Sequence, residues 1–472
     1  MKSDLKNKIM MRVKNIHFIG VGGSGMSGIA SILNDLGYSV SGSDINQSKN
    51  TDILKKNNIK ISIGHDISNV LLKDVIVVSS AVKEDNIEYL HAKNLNIPII
   101  QRAEMLAELM RFSYGIAIAG THGKTSTTSI LSHILNVANY DPTYIIGGKI
   151  INSGNFRLGS SDYLIAEADE SDASFLHLQP LMSVITNIDK DHMENHENSF
   201  DILKKNFLEF INNLPFYGLC LLNIDDINTR SIINRISRPI KTFGEDEQAD
   251  YQAKSICVDK IPAKYSYIEN GSIYEIKLNM PGKHNVMNSL AALSIARELG
   301  VPIKVIQEAL ENFPGISRRF EIIGEFKINK NTFTWVDDYG HHPTEMKEVL
   351  ETIKKVWANR KLVMVFQPHR YSRTAEHFNQ FIDILKNVDH LVLMDIYAAS
   401  EKPLDNINSE AIVSEIEKYN KKVVLINDED ELSKYLNKII EDKNILLTMG
   451  AGNISKFVNY YKKHVMQLIC QI

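Results

Sequence analysis

Cysteine and tryptophan are scarce in this chain, and their scarcity limits the classes of protein it can belong to. Of 472 residues, three are cysteine and two are tryptophan. Cys220, Cys257 and Cys470 lie far apart, without the spacing of a disulfide framework or a zinc site. A disulfide-stapled secreted scaffold is therefore excluded, and reduced thiols favour the cytoplasm as the compartment.

Long apolar runs are also missing. No stretch approaches the ~18 consecutive apolar residues that a membrane-spanning helix needs. The first fifteen residues, MKSDLKNKIMMRVKN, are basic but contain no apolar core of the kind found in a signal peptide. We therefore expect neither export nor membrane insertion.

The chain has no large excess of charge of either sign. Its formal net charge is −4, with 44% hydrophobic and 23% charged residues. A balanced composition of this kind is typical of globular proteins and gives no general attraction to nucleic acid. The length predicts about three domains, and we expect a monomer or a weak dimer that acts on small molecules.

The most informative stretch is Gly115–Thr128, which reads GIAIAGTHGKTSTT. Its apolar run predicts a buried strand, followed by a tight turn and a helix that begins near Lys124. Such a turn forms a phosphate cradle, with Lys124 on the β- and γ-phosphates and the Thr125 hydroxyl on Mg²⁺. The full Walker pattern would have glycine where Ile118 stands. We interpret the stretch as a nucleoside triphosphate site, formed by Gly120, Thr121, His122, Gly123, Lys124, Thr125 and Ser126.

Acidic residues follow two further predicted strands of the same region. Ser161–Glu167 ends in Glu167, with Asp169, Glu170 and Asp172 behind it, and Leu181–Ile188 is followed by the sequence DKDH, which ends in His192. Mg²⁺ prefers a few protein oxygens and several waters, so Glu167 beside Thr125 would suffice. A lone histidine is more often a capping or surface residue, but beside Glu167 and Thr125 the pattern favours His192 as a metal ligand. The remaining acids are explained equally well as favourable charges at the start of the next helix.

Another glycine-rich turn, GVGGSG, lies nearer the N-terminus and follows a predicted strand at Lys14–Gly20. In chain order it is the first glycine turn, and GTHG at 120–123 is the second. The next predicted strand, Tyr38–Gly42, ends near Asp44, at about the distance where dinucleotide folds place a ribose-binding carboxylate, and Ser79 and Ser80 end a third. The pattern predicts a diphosphate on a helix N-terminus without specifying the nucleotide. NAD(H), a UDP group and purely structural glycines all remain open at this point.

The rest of the chain continues the alternation of strands and helices. Asn285 and Asn288 lie three residues apart, hence on one face of a predicted helix that runs to Leu299, where their simplest role is capping. Beyond residue 320, five predicted strands alternate with amphipathic helices and indicate a third open parallel α/β sheet. Polar clusters follow its strands, with Asp338 and His341 after the first, and His369, Arg370 and Arg373 after the second. Paired arginines beside a histidine favour binding of a carboxylate or phosphate.

Together, these patterns predict an α/β protein of three domains. We predict an N-terminal Rossmann-like domain over residues 1–112 and a central P-loop ATPase-like domain over residues 113–319. A C-terminal Rossmann-like domain over residues 320–472 completes the division.

The motifs, in this order and spacing, resemble those of the Mur ligases over essentially the whole chain. The segments that carry the likeness are GVGGSGMSGIA, AGTHGKTST, AEADESDASF, TNIDKDHM, PGKHNVMN, GISRRFE, VDDYGHHPTE, FQPHRYSRT and GAGN. GGSGMSGIA and DDYGHHPTE are most similar to the branch that adds the first amino acid. A branch that recycles murein peptides is the nearest alternative.

The resemblance implies roles that spacing left open. It places a UDP-sugar on Gly22, Gly23, Ser24 and Gly25, with Asp44, Ser79 and Ser80 nearby, and ATP in the central domain, where the family uses the shorter GTxGKT form. It implies that Lys124 is catalytic and that Thr125, Glu167 and His192 hold metal, at two Mg²⁺ sites. Asn285 and Asn288 would contact the nucleotide, and Arg319 and Asp338 would reach ATP. His341, His369, Arg370 and Arg373 would face the amino acid and the sugar nucleotide.

The implied reaction is ATP-dependent ligation of L-alanine to the lactyl carboxylate of UDP-N-acetylmuramate, through an acyl phosphate, for peptidoglycan synthesis. An NAD-dependent oxidoreductase built on the first glycine turn is the main rival, and it leaves Lys124 and the acids after the strands unexplained. A non-catalytic nucleotide sensor is a third reading, disfavoured by the many charged residues that follow strands.

Overall fold

The computed structural model describes residues 10, 12–191, 193–197, 199–328, 330–399, 401–419 and 423–469. His192 and Cys470 lie outside the described residues. By their contacts the residues group into two compact units, one made of 1–255, 265–277 and 287–314, the other of 256–264, 278–286 and 315–472. Each unit is described separately. In the described part of the chain, no helix is both long enough and apolar enough to cross a bilayer.

The first unit begins with a five-stranded sheet in the order β3-β2-β1-β4-β5, in which all four pairings are parallel. This is the doubly wound arrangement that the first glycine turn predicts. The central strands β1 and β4 are apolar and almost entirely buried, as strands covered on both faces must be. The elements are β1 (Asn15–Ile19), α1 (Ser24–Asp35), β2 (Ser39–Asp44), α2 (Lys49–Lys56), β3 (Lys60–Ile63), β4 (Val75–Val78), α3 (Ile87–Asn94), β5 (Ile99–Gln101) and α4 (Arg102–Arg111).

A second, larger sheet follows, in the order β15-β14-β13-β12-β11-β10-β6-β9-β7. Its central strand β6 pairs in parallel with β9 and β10, whereas β8 pairs antiparallel with β7 at one edge. The strands are β6 (Tyr114–Ala119), β7 (Thr143–Ile150), β8 (Gly154–Arg157), β9 (Tyr163–Glu167), β10 (Met182–Ile185), β11 (Leu219–Asn223), β12 (Ile240–Gly244), β13 (Tyr251–Cys257), β14 (Ala263–Glu269) and β15 (Ser272–Leu278). The helices are α5 (Lys124–Val137), α6 (Phe200–Asn212), α7 (Ile227–Ile232), α8 (Lys283–Glu298) and α9 (Ile303–Glu311).

The second unit contains a six-stranded sheet in the order β17-β18-β22-β19-β20-β21. The expected open parallel sheet is correct for five strands, but β17 pairs antiparallel with β18. Its strands are β17 (Glu321–Ile328), β18 (Asn331–Asp338), β19 (Leu362–Phe366), β20 (His390–Leu393), β21 (Val423–Leu425) and β22 (Asn444–Met449). The two-residue strand β16 (Ile316–Ser317) is not part of this sheet. The helices are α10 (Pro343–Val356), α11 (Tyr371–Glu376), α12 (Phe378–Leu385), α13 (Ser409–Glu417), α14 (Glu429–Ile439) and α15 (Ile454–Ile469).

Candidate active site

The second glycine turn connects β6 to α5 as the sequence predicts, and two of its glycines have left-handed backbone. Gly120 has φ +132° and Gly123, the N-cap of α5, has φ +85°. A Cβ at Gly120 would lie 2.0 Å from Thr186 Oγ1, and a Cβ at Gly123 would lie 2.3 Å from Asn288 Oδ1. Both positions therefore require glycine for conformation and for space.

Residues after β10 hold this turn in place. Thr121 N donates to Asn187 O at 3.1 Å, and His122 N donates to Asn187 Oδ1 at 2.9 Å. The Thr186 hydroxyl donates to His122 O at 2.6 Å, and Asp189 N donates to Thr121 Oγ1 at 2.9 Å. The turn is thus fixed from a neighbouring strand end, which favours a preformed anion cradle.

Lys124 lies over its own turn and is paired with a buried carboxylate. Its Nζ donates to Gly120 O at 2.7 Å, to Thr121 O at 3.2 Å and to Glu170 Oε2 at 2.7 Å. Burial raises the pKa of Glu170 to about 7, although the charge of Lys124 opposes the shift. The lysine pKa is also raised, because the attraction of Glu170 and Asp169 outweighs the effect of burial.

Thr125 and Glu167 meet beside the turn. Thr125 Oγ1 donates to Glu167 Oε2 at 3.2 Å, and Glu167 Oε1 accepts from Gly147 N at 2.7 Å. Strand register explains the meeting, because Glu167 pairs with Ile118 at the carboxyl end of the β6–β9 ladder. One hydroxyl and one carboxylate oxygen at a helix N-terminus form the kind of donor set that Mg²⁺ uses with waters and phosphate. The residues present therefore fit the ion.

The two asparagines of α8 have different surroundings. Asn288 is buried, with its Oδ1 3.4 Å from the hydroxyl of Thr127, on the helix that follows the glycine turn. Asn285 is also buried, and its Nδ2 donates to Pro281 O at 2.8 Å. Asn288 thus belongs to the surroundings of the turn. The bond of Asn285 is not the capping contact that spacing alone suggests, because its amide donates to a carbonyl four residues earlier, whereas a capping side chain accepts from a backbone N–H.

The first glycine turn lies between β1 and α1, with Asp44 next to it. Gly22 N donates to Asp44 Oδ2 at 2.8 Å, so the strand-end carboxylate is close to the glycines as predicted. Gly20 has φ +79° and a Cβ there would lie 3.0 Å from Ser79 Cβ. Gly23 and Ser24 are exposed at the start of α1, and Ser80 is exposed after β4. The predicted sugar-nucleotide residues therefore cluster at one sheet edge.

In the second unit, Asp338 ends β18 and organises the loop around it. Its carboxylate accepts from Phe320 N at 2.7 Å and from Gly340 N at 2.6 Å, and burial raises its pKa. Arg319 lies 5.0 Å over the ring of Tyr339 and 3.6 Å from the Glu345 carboxylate. Arg319 and Asp338 are therefore held near each other, which agrees with the expectation that both reach ATP.

The histidines and arginines after β18 and β19 also form one cluster. The rings of His341 and His369 lie 5.7 Å apart edge to face, and Arg373 Nη1 is 3.4 Å from His369 Nδ1. Burial lowers the pKa of His341 to about 3, so this ring is neutral near pH 7. Arg370 precedes α11 with a left-handed φ of +69°, a strained conformation of the kind that concentrates at functional sites.

Three family models match successive stretches of the chain. They are the Mur ligase family catalytic domain over residues 15–114, the Mur ligase middle domain over 118–296, and the Mur ligase glutamate ligase domain over 318–452. The chain belongs to the Mur ligase family. Its second glycine turn lies within the middle-domain match, and the cluster of His341 and His369 lies within the third match.

Individual Mur ligases resemble the chain along nearly its whole length. A UDP-N-acetylmuramate–L-alanine ligase from Vesicomyosocius okutanii is 50% identical over 455 residues, which are 96% of this chain and 97% of that protein. The crystal structure of a UDP-N-acetylmuramate–alanine ligase from Thermotoga maritima has a TM-score of 0.82 at 30% identity, covering 96% of this chain and 99% of that one. The crystal structure of a murein peptide ligase from Psychrobacter arcticus has a TM-score of 0.73 at 23% identity, covering 96% of this chain and 98% of that one. The two proteins therefore share the fold.

Sequence reasoning missed several residues that shape this site. The sequence pattern predicts Glu170 as a charge at the start of a helix, but Glu170 binds Lys124. Thr186 and Asn187 are predicted only as part of a strand, although polar residues where an apolar strand ends are a usable signal. No sequence pattern singles out Arg102, since its contacts are visible only in three dimensions.

Proposed function

We propose that this Mur ligase joins L-alanine to the lactyl carboxylate of UDP-N-acetylmuramate, converting ATP to ADP and phosphate. The observation that carries the proposal is the contact of Thr125 with Glu167 at the carboxyl end of β6, next to Lys124, which pairs with Glu170. The substrate assignment is supported by the named ligases that are about 50% and 30% identical over almost the whole chain.

In the proposed first step, an oxygen of the lactyl carboxylate attacks the γ-phosphorus of ATP, and the bond to the β-γ bridging oxygen breaks. The products are an acyl phosphate and ADP. Lys124, released from Glu170, would pair with the phosphate oxygens on which charge accumulates. Thr125 and Glu167 would hold Mg²⁺, which when bound supplies further positive charge against those oxygens.

In the second step, the deprotonated amine of L-alanine attacks the acyl carbon, and phosphate leaves with the electrons of the carbon–oxygen bond. Arg370 and Arg373 carry the forked donors that bind a carboxylate in two-point fashion. We assign them, with His341 and His369, to the amino acid and sugar nucleotide. Arg319 and Asp338 are assigned to ATP, together with Asn285 and Asn288.

The first glycine turn and Asp44 are assigned to the UDP group, and Ser79 and Ser80 to its surroundings. A second Mg²⁺ near His192 remains part of the proposal, as do the three domains with boundaries after residues 112 and 319. We further propose that the enzyme works as a monomer or weak dimer in the cytoplasm.

A phosphate-release assay tests the function directly. The purified chain is given ATP, Mg²⁺ and a panel of amino acids, each with and without UDP-N-acetylmuramate. We expect phosphate release that requires the sugar nucleotide and is fastest with L-alanine. Phosphate release that does not depend on the sugar nucleotide would refute the proposal. Oxidation of NADH without phosphate release would also refute it.

A further inference from the structure

Arg102, the first residue of α4, lies against the glycine turn of the first sheet. A Cβ at Gly25 would be 3.1 Å from Arg102 Nη1 and 3.2 Å from its Cδ. Gly25 belongs to the first turn of α1, so the arginine side chain packs directly on the start of that helix. A side chain at position 25 would displace it, which gives this glycine a role beyond turn geometry.

The position is electrostatically unusual. The N-terminus of a helix carries partial positive charge and favours anions, so a guanidinium beside it is unfavourable. The first turn of α1 contains no acidic residue, and its N-cap, Gly23, offers no side chain to the free N–H groups. The guanidinium of Arg102 and the positive N-terminus of α1 face each other across an exposed glycine turn. An anion that lies between these two groups would stabilise both.

The structure also shows what holds Arg102 there. Its Nη2 lies 3.7 Å from Asp169 Oδ2, which is too long for a hydrogen bond but close enough for charge attraction. Asp169 Oδ1 is occupied by Ser171, whose hydroxyl donates at 2.8 Å. Asp169 therefore orients the guanidinium without using up its forked donors. Arg102 is 25% exposed, so those donors can reach a ligand.

We propose that Arg102 binds an anionic group of the sugar nucleotide, either its pyrophosphate or its lactyl carboxylate, and that Asp169 is the positioning residue for Arg102. The inference rests on the proposed function, because that substrate supplies the anion. Asp169 directly precedes Glu170, the partner of Lys124, so neighbouring acids hold the cations of both phosphate-binding turns.

Calorimetric titration in the absence of ATP and alanine tests the proposal. The ligands are UMP, UDP and UDP-N-acetylmuramate, and the variants are Arg102→Met, Arg102→Lys and the control Arg111→Met. Arg111 is the last residue of the same helix, is 58% exposed and forms an ion pair with Glu108 at 3.3 Å, so we expect its variant to keep wild-type affinity. We expect Arg102→Met to weaken UDP-N-acetylmuramate binding about 10-fold to 100-fold, and Arg102→Lys by less.

The three ligands separate the two possible anions. If Arg102→Met loses affinity for both UDP and UDP-N-acetylmuramate but not for UMP, Arg102 is assigned to the pyrophosphate. If the variant loses affinity only for UDP-N-acetylmuramate, Arg102 is assigned to the lactyl carboxylate. Wild-type affinity of Arg102→Met for all ligands would overturn the proposal, whereas failure of the unmodified chain to bind either UDP ligand would remove the proposed function as well.

Asp169→Asn gives an independent measurement. In the otherwise unmodified protein, Asp169→Asn should raise the KM for UDP-N-acetylmuramate. In the Arg102→Met variant, it should have no further effect on that KM. Thermal melting of each variant controls for folding. Equal effects in both backgrounds would show that Asp169 does not act through Arg102 and would overturn its positioning role.

Discussion

Replacing Gly123 by alanine tests how the glycine turn and Asn288 are fitted together. The new Cβ would lie 2.3 Å from Asn288 Oδ1, far inside van der Waals contact. Gly300→Ala is a matched control, because Gly300 has φ +82° against +85° for Gly123 and no heavy atom within 4 Å of its Cβ position. The left-handed backbone costs both variants about 1–2 kcal/mol, so their difference isolates the contact.

The size of that difference follows from what the Cβ meets. The contacted atom is the end of a side chain that can rotate, so we expect the two variants to differ by less than about 1 kcal/mol in unfolding free energy. Rotation would move the amide that the family resemblance assigns to the nucleotide. Losing such a hydrogen bond costs about 1–3 kcal/mol, which is about 5-fold to 150-fold in ATP affinity.

The assay compares ATP affinity by calorimetry and unfolding by thermal melting for both alanine variants. Gly123→Ala should lose affinity while Gly300→Ala should not. In an Asn288→Ala background the Gly123 substitution should have little further effect, because the displaced amide is already absent. Equal ATP affinity of Gly123→Ala and Gly300→Ala would refute the reasoning, as would a full additional loss in the Asn288→Ala background.

Three other predictions concern charge and strain. Lys124→Ala should lower turnover by about 10²–10³-fold while the circular dichroism spectrum stays native, and near-wild-type turnover would contradict its assignment. Burial lowers the pKa of His341 to about 3, below its unfolded value near 6.5, so acidification below pH 6.5 should reduce unfolding free energy by up to about 1.4 kcal/mol per pH unit from this group. His341→Gln should therefore flatten the dependence of melting temperature on pH between 6.5 and 4, and an unchanged slope would show another cause. Arg370→Gly relieves the strain of a φ of +69°, so the unfolding free energy should stay unchanged or rise by up to about 1 kcal/mol. The KM for the amino acid or the sugar nucleotide should rise. A large loss of stability would show instead that the Arg370 side chain holds the loop.

Local patterns were enough to locate the glycine turns and their strands. The apolar run before Gly120 predicts β6, and strand register then brings Glu167 next to Thr125 because carboxyl ends of parallel strands share an edge. Local periodicity is enough to predict the strands and the turn, whereas the pairing of β6 with β9 that brings Glu167 to Thr125 is a long-range contact.

Other features depend on contacts that sequence spacing does not reveal. The pairing of Lys124 with Glu170 joins residues 46 positions apart, and three other acids nearby offer the same chemistry. The antiparallel strand β17 was missed because tertiary pairing with β18 decides its state.

The bond between Lys124 and Glu170 also bears on what happens after each turnover. When phosphate and ADP depart, the lysine would otherwise remain as an uncompensated cation in a site where it is only 17% exposed, and a lone buried charge is costly. Glu170 offers it an internal partner, so the emptied pocket is closer to neutral. A nearly neutral pocket retains inorganic phosphate less tightly, which favours release of the product and return to the starting state.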